Sequence, residues 1–308
     1  MAKLDRMLVK IVKEIAEEND IQFNGISDNW IIELEKNEKK YFIYGYVFEN
    51  NNASITYILK DKNALAEILL KHGVPAVEHH YFYKNLNSVF ENFEDESNPI
   101  LQMFKRYKKL VLKNNMGTGG DSVYFVDSLE ELKDVCLKLK NKFHSFSVCP
   151  FYDIKHEWRV IMQNFQPTVI YEKIRAFVVG DGVSSANELA IKKYNGNIFI
   201  DEKVDLKMVP KKDEKVLLNW KHNLGQGAVP EVVKNVNLAK KLSNFAFKVC
   251  DLLKIKFASI DIIEADGELK ILEINGGIMM EKFSSYSEEN YQIAKKIYYS
   301  ALKDELNI

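Results

Sequence analysis

The sequence predicts an α+β fold, and three observations carry that prediction. Apolar residues recur at helical spacing in some segments, while others are short runs of aromatic and β-branched residues that read as strands. The two kinds do not follow one another as a regular βαβα alternation, which argues against a doubly wound sheet. The 308 residues are 46% hydrophobic and 28% charged, the balance of an ordinary soluble protein with room for two domains or one large domain carrying a lobe.

Taken in order, Leu4, Met7, Leu8, Ile11, Val12 and Ile15 mark an amphipathic N-terminal helix. Charges interrupt its apolar stretches, so it does not read as a signal peptide, and no run approaches the roughly 20 apolar residues that span a bilayer. Residues 30–34 and 41–48 read as strands, and Ser54 to Leu59 as another short one. Asp61-Lys62-Asn63 opens a helix from Ala64 to Lys71, with Asp or Asn capping it, and His72-Gly73 before Val74-Pro75 ends it. The acidic stretch 91–99 reads as an internal linker. Leu110 to Lys113 and Val123 to Val126 are strands around a glycine loop, and Ser128 with Glu131 makes a capping box for a helix through Lys140. From Ser147 onward strands dominate, broken by a helix near Leu238–Leu253 and closed by one from about Glu288 to Leu302. Lys+Arg 43 against Asp+Glu 44 leaves no global field, so nothing in the composition points to nucleic acid or an anionic membrane. Cys136, Cys149 and Cys250 are odd in number and widely spaced, which suits reduced thiols in a cytoplasmic protein.

Two features carry chemistry. Nine of the 14 glycines fall in four short loops. Gly180-Asp181-Gly182 reads as an ordinary turn, but in Asn114-Asn115-Met116-Gly117-Thr118-Gly119-Gly120 the preceding strand ends on Lys113. Consecutive N–H groups of such a loop converge on a phosphate, with the lysine as a point charge beside it. The loop has no Gly-Lys-Ser/Thr and leads into a strand, so it is neither a Walker loop nor a Rossmann fingerprint. A plain hairpin and a glycine flap over a triphosphate are the readings left.

The second feature is FASIDIIEADGELKILEIN, two strands about the turn Ala265–Glu268. Asp261, Glu273 and Asn275 interrupt its apolar runs; they either face solvent or are paired, and a hard divalent cation is one such partner. Opposed strand residues share a face, so Asp261 opposite Glu273 requires an odd-length loop or a bulge around Asp266-Gly267. A strict two-residue turn sends the two carboxylates to opposite faces and would break the metal-site reading.

Asp61-Lys62 with Ile68-Leu69-Leu70-Lys71-His72-Gly73-Val74-Pro75, Val111-Leu112-Lys113 with its glycine loop, Val178-Val179-Gly180-Asp181-Gly182 with Glu188-Leu189, Asn223-Leu224-Gly225-Gln226-Gly227-Ala228, and Asp261 with Glu273-Ile274-Asn275 stand in one order over about residues 60–290. Together they resemble the ATP-grasp superfamily of carboxylate–amine ligases. The likeness is greatest to the branch of ribosomal-protein S6 glutamate ligase, cyanophycin synthetase and the ligase domain of bifunctional glutathione synthetase. The resemblance implies an ATP-grasp fold in which two α+β lobes clamp ATP beside a small N-terminal α/β region. Residues 1–60 would be the substrate-side region, 61–146 the small lobe with the flap, and 147–308 the C-terminal lobe with the metal site.

Roles follow by position. Lys62, Lys113, Gly117, Thr118, Gly119 and Gly120 would contact the nucleotide. Ser147 to Tyr152 would be the hinge whose backbone reads adenine, with Cys149, Phe151, Tyr152 and Leu272 at the nucleotide, and Glu157 would hold the ribose. Arg159, Lys173 and Arg175 are candidates for a substrate carboxylate or acyl phosphate, since arginine matches both bidentately. Lys221 stands where the family has arginine and loses the fork geometry, while Asn223 would assist the phosphates or metal. Asp261, Glu273 and Asn275 would hold two magnesium ions, with manganese as a substitute. The segment Gly276–Met280 departs from the family's small residue–Pro–Gly run and points to an unusual acceptor.

The activity implied is ATP-dependent amide or peptide bond formation through an acyl phosphate, releasing ADP and phosphate. The partners are ATP and a small-molecule carboxylate and amine, an amino acid or peptide foremost, with no nucleic acid or membrane; a homodimer is compatible. The alternatives are a kinase-like ATP-grasp protein with a non-amine acceptor and a nucleotide-binding regulator without turnover.

Overall fold

The structure is a computed structural model that describes residues 6–83, 87–117, 119–120, 122–196 and 198–308. Helix α1 (Met7–Glu18) buries Leu8, Ile11, Val12 and Ile15, as its spacing predicts. It leads into an antiparallel meander of β1 (Gln22–Ile26), β2 (Ile31–Lys36) and β3 (Lys39–Tyr44). The strand expected over 41–48 stops at Tyr44, because the chain turns through Gly45 at φ +60° and Tyr44 closes back on Val47.

Residues 54–59 form no strand; they lie in helix α2 (Ala53–Lys60). Asn52 caps it by accepting from the Ile55 N–H at 2.9 Å, and Ile55 and Leu59, one turn apart, pack into the core of the C-terminal lobe. Capping and burial there outweigh the weak helix preference of Ile55 and Thr56. Helix α3 (Lys62–Lys71) starts on the Asp61 cap and ends at Gly73, φ +71°.

The small lobe comprises β4 (His80–Tyr83), α4 (Asn87–Glu91), α5 (Pro99–Tyr107), β5 (Leu110–Asn114), β6 (Val123–Val126), α6 (Leu129–Lys142) and β7 (Ser145–Pro150). Its antiparallel sheet runs β4-β7-β5-β6 and packs one face, through Leu110, Leu112, Phe146 and Val148, against Phe90, Ile100 and Leu132 of the helices. The stretch read as a linker is tied down, since Phe93 and Asn98 are buried and Asn98 caps α5. Only half of the capping box at α6 forms: Ser128 accepts from the Glu131 N–H, whereas the Glu131 carboxylate takes the N–H of Asp127.

The C-terminal lobe holds β8 (His156–Gln163), β9 (Gln166–Ile174), β10 (Phe177–Val179), α7 (Ala186–Tyr194), β11 (Lys215–Leu217), a 3-10 turn (Leu224–Gln226), β12 (Val229–Val232), α8 (Val236–Leu253), β13 (Phe257–Ala265), β14 (Glu268–Asn275), α9 (Glu281–Ser284) and α10 (Glu288–Leu306). Helix α7 interrupts the run of strands expected there, and it carries a complete capping box, Ser185 with Glu188. The main antiparallel sheet runs β12-β9-β8-β13-β14. One face, with Val160, Ile170, Ile260, Ile262 and Ile274, packs on α8. Along the other face, one end (Ile161, Val169, Phe257) shares a core with α1, the meander and α10. At the opposite end Ile263 and Ala265 meet Val111 and Cys149 of the small lobe. Among the described residues no helix is long and apolar enough to cross a membrane.

Candidate functional site

Between those two apolar ends, a polar row crosses the sheet: Tyr171, Arg159, Asp261 and Glu273 are consecutive register partners on β9, β8, β13 and β14. How Asp261 comes to face Glu273 answers the parity question. Asp266 and Gly267, at φ +55° and +78°, make a strict two-residue turn closed by the pair Ala265–Glu268. Continued unbroken, that register would set the two carboxylates on opposite faces. Instead Ile262 pairs with Ile271 while Asp261 pairs with Glu273, leaving Leu272 as an extra residue. The turn expected to break the metal site is thus present, and a bulge inside β14, away from the turn, restores the shared face.

Asp261 is 1% exposed and bonded to two cationic side chains. Arg159 grips it bidentately, Nε to Oδ1 and a terminal nitrogen to Oδ2, both at 2.7 Å. Lys173 Nζ lies 2.8 Å from the same carboxylate and 2.6 Å from Glu157. Burial alone would raise Asp261, but Arg159 and Lys173 together hold its carboxyl well below the usual range. Glu157 is pushed up to about 6 by burial, with Lys173 opposing. Glu157, expected at a ribose, is thus bonded to Lys173 beside the metal candidates, and Arg159 is bonded to Asp261 where an acyl phosphate was expected. Arg175 lies just beyond β9, half-buried, with Asp153 as the charge acting on it. It does not join this cluster.

Asn275 donates to Glu273 Oε1 at 3.2 Å. The donor set is two carboxylates and a carboxamide on paired strands, all hard oxygens, and this chemistry fits a magnesium ion. No cluster of three or more His, Cys, Asp or Glu suited to a metal occurs among the described residues.

The flap approaches from the small lobe. Lys62, at the start of α3, donates to the carbonyls of Gly117 and Asn115 at 2.5 and 3.3 Å. Burial drives its ammonium down to about 8, with Glu273 acting against the shift and Lys113 adding to it. Lys113 is buried on β5. Gly119 and Gly120 adopt φ +75° and +77°, and the Asn223 carboxamide donates to the Gly119 carbonyl at 2.9 Å. The flap therefore closes on the loop that carries Asn223; Thr118 lies outside the described residues. Lys221 lies over the rings of Trp220 and Phe199.

Cys149, Phe151, Tyr152 and the bulged Leu272 share one apolar cluster with Val77, Val111 and Trp220. Sequence reading missed Asn115. Buried at 1% exposure, it donates to Asp61 at 2.8 Å and accepts from the Asn63 N–H, fastening the start of α3 to the glycine loop. Its place directly before Met116-Gly117 was the available signal.

This arrangement is the ATP-grasp fold, and part of the chain matches an ATP-grasp family model. Residues 198–300 match the RimK-like ATP-grasp domain. The chain is 27% identical over 196 residues to the tetrahydromethanopterin:alpha-L-glutamate ligase of Methanococcus maripaludis, covering 63% of this chain and 53% of that one. The enzyme of the same name from Methanocaldococcus jannaschii is 24% identical over 204 residues, covering 65% and 55%. The chain thus spans about half the length of these curated relatives. Among solved structures, a bifunctional glutathione synthetase from Pasteurella multocida superposes with a TM-score of 0.59 at 14% identity, covering 96% of this chain and 44% of that one. A D-alanine–D-alanine ligase from Bacillus anthracis gives 0.53 at 16% identity, covering 81% and 66%.

Proposed function

We propose that the protein is an ATP-dependent carboxylate–amine ligase, forming an amide or peptide bond through an acyl phosphate and releasing ADP and phosphate. The observation that carries this reading is the bulge that sets Asp261 and Glu273 face to face within reach of the field of Lys62, under a flap closed by Asn223. Asp261, Glu273 and Asn275 would hold magnesium, two ions with manganese as a substitute, and a metal there neutralises charge on the transferring phosphoryl group. Lys62 and Lys113 would bind the phosphates, with Gly117, Thr118, Gly119 and Gly120 as the flap over them. The apolar cluster of Cys149, Phe151, Tyr152 and Leu272 would take the base. Arg159 and Lys173 are the cations beside the acyl phosphate, with Arg175, Lys221 and Asn223 at its rim. The flap would keep water from the acyl phosphate. No protein nucleophile is needed.

The relatives' names support an amino acid as one substrate, and the two-lobe clamp supports the division at 1–60, 61–146 and 147–308. A cytoplasmic protein and a homodimer complete the proposal. ADP release is the test, screened against amino acids singly and in pairs. Asp261→Asn together with Glu273→Gln should abolish it, and turnover surviving that double change would refute the assignment.

A further inference from the structure

On the face of the small-lobe sheet turned toward the metal hairpin, Ser147 and Cys149 of β7 lie directly across from Lys113 and Val111 of β5. Cys149 has nothing to offer a base edge, since its buried thiol is directed at the Val111 carbonyl, 3.7 Å away. Its neighbours differ. Ser147 is 0% exposed, and its Oγ has no hydrogen-bond partner among the described residues. His79 is 5% exposed, and neither Nδ1 nor Nε2 has one. His79 leads into β4, where Tyr81 sits opposite Ser147. Burial first, then the neighbouring ammonium groups of Lys113 and Lys62, keep its imidazole neutral.

Two buried side chains close to Lys113 thus hold donors and acceptors without partners among the described residues. Natural proteins rarely leave such groups unpaired unless a partner arrives with a ligand. Resting on the nucleotide reading of the site given above, we propose that His79 and Ser147 read the base of the bound nucleotide and admit either purine. A neutral imidazole carries one donor and one acceptor in exchangeable positions, and a hydroxyl is both. Adenine presents an amino donor beside a ring-nitrogen acceptor, and guanine a carbonyl acceptor beside a ring N–H donor. A change of tautomer and a hydroxyl rotation match the pair to either edge. A carboxylate or ammonium at these positions would fix one polarity.

Calorimetric titration of the native chain, His79→Leu and Ser147→Ala with ATP, GTP and inorganic tripolyphosphate, each with magnesium, tests this. The native chain should bind ATP and GTP within about tenfold of each other, and His79→Leu should weaken both by about tenfold or more while leaving tripolyphosphate unchanged. The ligand-free His79→Leu protein should melt no lower than the native one, because an apolar side chain removes the unpaired groups. A histidine with a purely structural role would lower the midpoint instead. Both variants binding ATP as the native chain does, or the native chain rejecting GTP by more than about a hundredfold, would overturn the base reading alone. A native chain that binds neither nucleotide nor tripolyphosphate would overturn the ligase reading with it.

Discussion

Lys173→Met keeps much of the side-chain volume but removes the ammonium standing 2.6 Å from Glu157 and 2.8 Å from Asp261. Asp261 retains both bonds from Arg159, whereas Glu157 is left buried without its cation. Breaking a buried pair from one side costs about 3–5 kcal/mol, a large share of a domain's stability of about 5–15 kcal/mol. Glu157 relieves part of that loss by binding a proton. In the native protein burial already pushes it up to about 6 from an ordinary 4.5, against the pull of Lys173, and the variant carries it higher. Because the folded form holds this proton more tightly than the unfolded chain, Glu157's contribution is full below 4.5 and disappears as pH rises through the folded value. Each unit by which the variant raises that value adds about 1.4 kcal/mol to the deficit at high pH. Urea unfolding followed by tryptophan fluorescence should therefore show a deficit that is smaller near about pH 5 and largest near about pH 8. Glu157→Gln in the same chain should recover most of the loss at the higher pH. A deficit under about 1 kcal/mol at about pH 8, or the same deficit at both pH values, would refute this account.

Three further outcomes follow from other parts of the site. His222 donates from Nδ1 to the Lys173 carbonyl at 2.7 Å, and burial lowers its imidazole from 6.5 to about 4. Stability should fall by about 3 kcal/mol as pH drops through that window, because only the unfolded chain takes the proton, and His222→Asn should flatten this limb of an acid-unfolding curve. A methyl group at Gly120 would lie 2.3 Å from Asn223 Nδ2 on a backbone at φ +77°. Gly120→Ala should thus lift the flap at a cost of about 1–3 kcal/mol, seen as faster amide exchange in the loop, and Asn223→Ala should speed the same amides without the strain. Deleting Leu272 should leave Asp261 opposite Glu273 in an unbroken register, so manganese binding measured by electron paramagnetic resonance should survive while the base cluster loses a side chain; loss of manganese affinity would show that the bulge itself shapes the donors.

Much of this site was legible because it rests on local chemistry. The glycine loop after Lys113, the Asp61 cap and the Asp261/Glu273/Asn275 hairpin each announce themselves within a few residues, and the parity of the pleat demanded an odd-length loop or a bulge before any coordinates. What stayed hidden was set by distance in sequence. Arg159 and Lys173 met Asp261 only when β8 and β9 aligned beside β13, so their pairing left no trace in local pattern. Residues 54–59 misled for a different reason: β-branched residues argue for a strand until a cap and a partner surface settle the matter, and that surface belongs to the C-terminal lobe. Asn115 looked like one more polar loop residue because its partner Asp61 lies 54 positions away.

The extra residue in β14 also divides the hairpin into two segments of different register. On the metal side, pairing is fixed by Asp261 and Glu273; on the tip side, by Asp266 and Gly267, with Leu272 as the joint. Lengthening the tip by two residues, one per strand, preserves the phase on both sides, so the tip is a site for inserting a reporter that leaves the carboxylates in place. A single inserted residue is held as a three-residue loop, which also leaves the joint and Leu272 in place. Length changes at this tip should therefore be tolerated without moving the carboxylates, and a label there would leave the metal side untouched.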